Sequence, residues 1–151
     1  MINSFGAHFV EVEVDVETGR VNISRYVAAH DAGTIINPKM AENQVRGGVS
    51  QMLGFTFSED MEIDPGTGIV VNSNFLDHKS PTILDFPDID VVFADVTDPI
   101  GPFGAKSLGE PPCIGPAPTI ANAIYDAVGV RITDLPITPN KLLSAIKSHK
   151  A

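Results

Sequence analysis

The chain is poor in cysteine, basic residues and long apolar runs, and each shortage excludes a class of protein. A single cysteine among 151 residues cannot form an internal disulfide, which fits a reducing compartment, so we expect a cytoplasmic protein. Ten basic residues against nineteen acidic ones give a net charge of −9, which argues against nucleic acid as a partner. No apolar run approaches the roughly 20 residues of a membrane-spanning helix. Residues 1–4 lack the basic and apolar parts of a signal peptide, so we expect none.

The length matches one domain, and no internal repeat, linker or low-complexity tract divides the sequence. We therefore expect a single domain over residues 1–151. Charged residues make up 19% of the chain, which is lean for a free-standing domain of this size. One explanation is that part of the surface is buried against another chain.

Three segments have the residue pattern of β-strands. Valines alternate with acidic residues over 7–16, which predicts a strand with one buried and one exposed face. Residues 17–20 form a predicted turn with a glycine where a positive φ is needed, and a return strand over 21–29 completes a hairpin. Residues 89–94 form the third predicted strand.

A helix is predicted to begin at Asn37, because Asn is a favoured N-cap and a proline follows at the first helical position. Gly47 and Gly48 lie inside this helix, where each weakens it by roughly 1 kcal/mol relative to Ala. They predict that a helix, a strand or a cofactor packs closely there. Gln44 and Gln51 lie on nearly the same face, and their amides are candidates for recognising a heterocycle. The alternative is that both are ordinary exposed glutamines.

Two more helices are predicted near the C-terminus. One follows Pro118 and runs to about residue 128, with Gly129 as its stop. The other begins at Thr138, which again combines a cap residue with a following proline. The order is strands, helix, strands, loop and two helices, which predicts an α+β fold rather than regular βαβ units.

A Gly/Pro-rich loop over residues 101–112 contains one carboxylate, Glu110. Its glycines and prolines disfavour a regular helix, and Pro111 is expected to hold Glu110 in an extended conformation. Pro111 and Pro112 have no N–H to donate to the acid, while Gly109 allows another group to approach closely. This pattern predicts a carboxylate aimed at a reacting group. The alternative is a solvated surface glutamate.

Other patterns in the sequence predict no chemistry. The loop is not a phosphate-binding motif, because Ala105 stands where that motif requires a glycine. The four histidines have no metal-ligand spacing, and His30-Asp31 predicts a structural hydrogen-bonding turn. Cys113 has no histidine close in sequence, which favours a buried structural thiol over a nucleophile.

A series of ordered segments covers nearly the whole chain, from about residue 6 to residue 146. The segments are HDAGTIINP (30–38), ENQVRGGVSQMLG (42–54), GPFGAK (101–106), GEPP (109–112), IANAIYDAVG (120–129) and LPITP (135–139). Together they resemble the C-terminal part of the molybdenum-binding subunit of the xanthine dehydrogenase/aldehyde oxidase family.

The resemblance implies a cofactor, a reaction and site residues. The cofactor is a molybdenum–pterin cytosine or guanine dinucleotide, and the reaction hydroxylates an electron-poor carbon with water as the oxygen source. Glu110 matches the general base of that family, and Gln44 matches a glutamine that contacts the pterin. Gly47, Gly48 and Gly109 would allow close approach to the cofactor, and no residue of this chain is assigned to the metal.

The resemblance also implies partners. The family's molybdenum subunit has further segments that hold the metal, the rest of the cofactor and the substrate pocket, while iron–sulfur clusters and often flavin lie on other subunits. We expect the base-bearing portion of a molybdenum hydroxylase that is inactive alone and active when assembled. A non-catalytic structural subunit and a small binding module are the alternatives. Purines, N-heterocyclic acids, aldehydes and aromatic acyl thioesters remain open as substrates. Ser107 stands where the family's pattern has Gly.

Overall fold

A computed structural model describes residues 3–149 of the protein. Residues 1–2 and 150–151 lie outside the described range, so the predicted lack of a signal peptide at residues 1–4 falls partly outside it. The single domain over residues 1–151 stays a prediction. None of the helices in the described part is long and apolar enough to cross a membrane.

The predicted hairpin is present, with its first strand displaced toward the N-terminus. Strand β1 (Phe5–Val14) pairs antiparallel with β2 (Val21–Asp31). β1 ends before Val16 because the Asp15 carboxylate accepts hydrogen bonds from the Glu17 N–H at 2.9 Å and the Thr18 hydroxyl at 2.7 Å. These bonds close a turn in which Gly19 has a φ of 74°, as the sequence predicts.

Strand β3 (Ile89–Phe93) pairs with β2 in parallel, so the sheet has the order β1-β2-β3 with β2 in the centre. A parallel pair requires a crossover, and the connection from β2 to β3 contains the long helix α1 (Pro38–Phe57). The end of β2 and the end of β3 therefore lie side by side at one edge, where the loop that carries Glu110 begins.

Helix α1 begins as the sequence predicts, since the Asn37 side chain accepts a hydrogen bond from the Met40 N–H at 3.1 Å. Helix α3 (Pro116–Val128) starts two residues before Pro118 and ends at Gly129, which is left-handed with a φ of 74°. Helix α4 (Pro139–His149) follows Thr138. A short helix α2 (Pro111–Ile114) was not predicted.

The core lies between the sheet and helices α1, α3 and α4. The cluster combines side chains from the central strand with one apolar stripe from each of these helices. Its fully buried members include Tyr26, Val45, Ile120, Ile124 and Leu142. This packing confirms the α+β class and gives α1 a fixed position relative to the loop that follows β3.

Candidate functional site

The loop that carries Glu110 is anchored to the end of β2. The Lys106 N–H donates to the Ala32 carbonyl, and the Thr34 N–H donates to the Gly104 carbonyl, each at 2.8 Å. Lys106 Nζ lies 2.5 Å from Asp31 Oδ2, and only 5% and 18% of the two side chains are exposed. The Lys106 hydrogen bond lowers the pKa of Asp31, with a further contribution from the Gly33 N–H.

Asp31 also confirms part of the predicted turn at His30-Asp31. Its Oδ1 accepts a hydrogen bond from the Gly33 N–H at 3.1 Å. Gly33 has a φ of 66°, and a Cβ at this position would lie 2.3 Å from the Gly104 carbonyl oxygen. Glycine is therefore required where the chain leaves β2 and passes the loop.

A second aspartate organises the tip of the loop. Asp98 Oδ1 accepts hydrogen bonds from the Gly101 N–H at 2.7 Å and the Ile100 N–H at 2.9 Å. Both bonds lower the pKa of Asp98, and the bond from Gly101 has the larger effect.

Phe103 is the only non-glycine residue within 3–149 with a positive φ, 54°, and 89% of it is exposed. Ser107 therefore has a backbone conformation open to any residue, so no left-handed glycine is needed there.

Glu110 is not extended, so that prediction was wrong. Its φ and ψ are −105° and −6°, and it is the residue that precedes helix α2. The Cys113 N–H donates to the Glu110 carbonyl at 2.8 Å and closes the first turn of that helix. Pro111 and Pro112 occupy the first helical positions, where a missing N–H costs nothing.

The side chain of Glu110 is exposed. No hydrogen bond or ion pair within residues 3–149 engages its carboxylate, so the acid is free to meet a group that this part of the chain does not contain. Two cavities, of about 750 and 500 Å³, lie elsewhere, and neither is lined by Glu110 or Gln44. The described residues also hold no cluster of three or more His, Cys, Asp or Glu side chains suited to a metal ion.

Helix α1 lies directly beside the Glu110 segment. Gln44 Nε2 donates a hydrogen bond to the Gly109 carbonyl at 2.5 Å. A Cβ on Gly48 would lie 2.8 Å from Pro112 Cβ and 3.2 Å from Cys113 Sγ. Close packing of another helix, which the sequence left open as an explanation for the glycines, therefore accounts for Gly48.

The surroundings of the other two glycines are open. A Cβ on Gly47 or on Gly109 would meet nothing within 4 Å, and both residues are exposed. The structure thus brings Glu110, Gly109, Gln44 and Gly48 together, while Gly47 lies next to them in α1 without a contact of its own. Whether Gln44 and the three glycines bind a cofactor stays a prediction.

A group of rings that no sequence motif indicated lies beside helix α2, with Tyr26 and His30 buried and His8 half-buried. His8 Nδ1 lies 2.8 Å from the Tyr26 hydroxyl, and the rings of His8 and His30 are 5.0 Å apart and nearly perpendicular. His8 Nε2 and both ring nitrogens of His30 have no hydrogen-bond partner within residues 3–149. A Cβ on Gly115 would lie 2.3 Å from His8 Cδ2, so His8 packs where α2 meets α3.

Burial controls the protonation of this group. It lowers the pKa of His8 to about 4, with a smaller contribution from His30, and it also lowers the pKa of His30. Burial raises the pKa of the Tyr26 hydroxyl. The only sequence signal was the placement of His8 and His30 in the two strands of one hairpin.

Comparisons with known proteins identify the family. The model of the molybdopterin cofactor-binding domain matches residues 1–87. The chain is 44% identical, over 92% of its length, to the putative xanthine dehydrogenase molybdenum-binding subunit XdhA of Escherichia coli K12, and covers 18% of that protein. It is 41% identical, over 95% of its length, to the aldehyde oxidoreductase molybdenum-binding subunit PaoC of the same strain, and covers 20% of it.

Solved structures give the same result. Quinoline 2-oxidoreductase from Pseudomonas putida 86 superposes with a TM-score of 0.86 at 33% identity, over 94% of this chain and 18% of that one. The aldehyde oxidoreductase from Desulfovibrio gigas superposes with a TM-score of 0.86 at 34% identity, over 95% of this chain and 15% of that one.

The chain therefore belongs to the molybdopterin cofactor-binding domain family, in the form found in xanthine dehydrogenase and aldehyde oxidoreductase molybdenum-binding subunits. This result confirms the family resemblance of the sequence motifs. The chain spans about a fifth of the length of the curated relatives it matches.

The two adjacent glycines of α1 are expected to respond differently to alanine. Gly47→Ala should stabilise the chain by up to about 1 kcal/mol, because the added methyl meets no neighbour and alanine favours helix. Gly48→Ala should give no gain, or a loss of roughly 1–3 kcal/mol, because the methyl overlaps Pro112. Urea unfolding of the purified chains measures both, and equal effects would contradict the observed packing.

The buried histidines predict a loss of stability in mild acid. The pKa of His8 is lower in the folded chain than in the unfolded one, so the unfolded state binds more protons below pH 6.5 and folding weakens as the pH falls toward 4. Because His8 is only half-buried, solvent screens the charge, and the loss between pH 7 and 5 should stay below about 1 kcal/mol. Unfolding free energies measured against pH should fall less steeply in His8→Gln, while His78→Gln, which changes an exposed histidine, should keep the wild-type slope.

Proposed function

We propose that this chain is the base-bearing portion of a molybdenum hydroxylase and that Glu110 is its general base. The observation that carries the proposal is a free carboxylate on a fixed backbone. Glu110 has no partner of its own within residues 3–149, while the Gln44 bond to Gly109 and the first turn of α2 hold the chain on either side of it. A general base must combine a defined position with an unoccupied acceptor.

The surface around Glu110 fits a pterin. Gly47 and Gly109 leave open backbone, where a cofactor can approach without meeting a side chain. Gln44 uses one N–H for Gly109, and its Oε1 and remaining N–H are available to a heterocycle that presents both donors and acceptors. These residues would hold one edge of the molybdenum–pterin cofactor, as the cytosine or guanine dinucleotide, and other segments would hold the remainder. When bound, the cofactor supplies the electron acceptor and a metal charge that makes a water-derived proton easier to lose.

The proposed reaction hydroxylates an electron-poor carbon with water as the oxygen source. The carbon gains a hydroxyl group in place of hydrogen, and two electrons and two protons are released. Glu110 accepts one of these protons on its carboxylate, which must be ionised beforehand. The electrons leave through iron–sulfur clusters and a flavin on partner subunits. N-heterocycles and aldehydes are the proposed substrate classes.

Exposed apolar side chains support the proposal that the chain works in an assembly. Phe75 is 95% exposed, Leu84 is 92% exposed and Phe103, in the Glu110 loop, is 89% exposed. Contiguous exposed apolar surface marks a site of interaction with another protein, and here Leu76 and Ile83, the sequence neighbours of Phe75 and Leu84, are more than 80% exposed as well. The proposed cover is the rest of the molybdenum subunit, since the relatives are about five times longer than this chain. A cytoplasmic location is part of the same proposal.

Glu110→Gln in the assembled enzyme tests the role of the base. It should reduce turnover by about a hundredfold or more, because an amide cannot accept the proton. Molybdenum content and subunit composition should stay unchanged. The matched control, Glu17→Gln in the exposed hairpin turn, should keep full turnover. Normal turnover in Glu110→Gln would instead favour the alternative, a structural subunit without chemistry.

The purified single chain should carry far less than one molybdenum per polypeptide and show no hydroxylase activity. The physical reason is that the cofactor would touch this chain along one exposed edge only. Elemental analysis of the purified chain gives the ratio. A stoichiometric amount of molybdenum would contradict the proposed dependence on other segments.

A further inference from the structure

One face of α1 contacts the segment that carries Glu110. Gln44, Gly48 and Gln51 follow one another at helical spacing, so they share that face. Their neighbours are Gly109, Pro112 and Cys113. The contact therefore begins at the residue before Glu110 and continues along α2.

The hydrogen bond from Gln44 reaches the peptide group that joins Gly109 to Glu110. Gly109 has no side chain, and nothing lies within 4 Å of the place where its Cβ would be, so no side chain at this position holds the peptide in one orientation. The Gln44 amide does so, at 2.5 Å, from the rigid backbone of a 20-residue helix. The orientation of the Glu110 backbone thus depends on a side chain 65 residues away in sequence.

Gly48 allows helices α1 and α2 to lie close enough together for the hydrogen bond from Gln44 to Gly109 to form. A Cβ on Gly48 would lie only 2.8 Å from Pro112, so any larger residue would push α2 away from α1. The contact between Cys113 Sγ and Gln51 Oε1, at 3.9 Å, is long and contributes less. Gln44 is therefore the one strong polar link between α1 and the Glu110 segment within residues 3–149.

We propose that Gln44 is a positioning residue for Glu110, acting through the Gly109 carbonyl. This rests on the proposed function of Glu110 as the base. This role uses the N–H that Gln44 donates to Gly109 and is additional to the proposed contact of its other amide atoms with the cofactor. Displacing a catalytic group by about 1 Å can reduce turnover a hundredfold, so the loss of this one bond should be visible in the rate.

The test uses Gln44→Met in the assembled enzyme, since Met has a similar length and no donor. Gln44 is exposed, so the substitution removes no core packing. The expected result is a fall in kcat per bound molybdenum of about tenfold to a hundredfold, with KM unchanged. Gln44→Lys, which restores a donor of similar reach, should recover much of kcat. Lys39→Met, an exposed change in the same helix, is the control and should have no effect.

A double substitution separates the two roles of Gln44. If Gln44 acts through Glu110, then Gln44→Met should add little to the defect of Glu110→Gln. Independent multiplication of the two defects, or a fall in pterin content that accounts for the whole fall in kcat, would overturn the inference and leave Gln44 with the cofactor contact alone. An unchanged kcat in Gln44→Met would overturn it as well.

The same experiment distinguishes this inference from the function on which it rests. If Glu110→Gln alone has normal turnover, the proposed base is wrong. If Glu110→Gln loses turnover while Gln44→Met keeps it, the base stands and only the positioning role fails.

Discussion

The position of the Glu110 segment depends first on the ion pair between Lys106 and Asp31. Lys106 is almost fully buried, and a charge taken out of water is tolerated only beside a partner. Asp31 is the last residue of the central strand, so pairing with it ties the loop to the end of β2. Backbone hydrogen bonds to Ala32 and from Thr34 reinforce the same attachment. The first half of the loop therefore has a defined position, although three of the six residues over 101–106 are Gly or Pro.

A second constraint acts at the other end of the loop, where α1 meets α2. Gly48 allows the two helices to approach, and Gln44 holds the peptide before Glu110. Next to these two attachments the Glu110 carboxylate is exposed and has no hydrogen bond or ion pair to the described part of the chain. The lack of a partner for this carboxylate within residues 3–149 supports the proposal that other segments complete the site.

Local rules predicted the elements that local chemistry decides. The hairpin follows from alternating valines and a glycine turn, the start of α1 from the Asn37 cap, and the end of α3 from Gly129. The same rules failed at Glu110, because they treat consecutive prolines only as breakers of regular structure. In the structure they begin α2, since the first helical positions need no N–H donor. The end of β1 was misplaced for a similar reason, because the Asp15 carboxylate closes the turn before Val16.

The sequence by itself determined the family, the α+β class and the carboxylate to examine, because these depend on residue identity and on short-range patterns. Only the tertiary structure decided what surrounds that carboxylate. Lys106 meets Asp31 across 75 residues, and Gln44 meets Gly109 across 65. The rings of His8 and His30 meet across the hairpin. Such contacts exist because β3 pairs in parallel with β2 after a crossover through α1, and no local pattern specifies which distant side chains that pairing brings together.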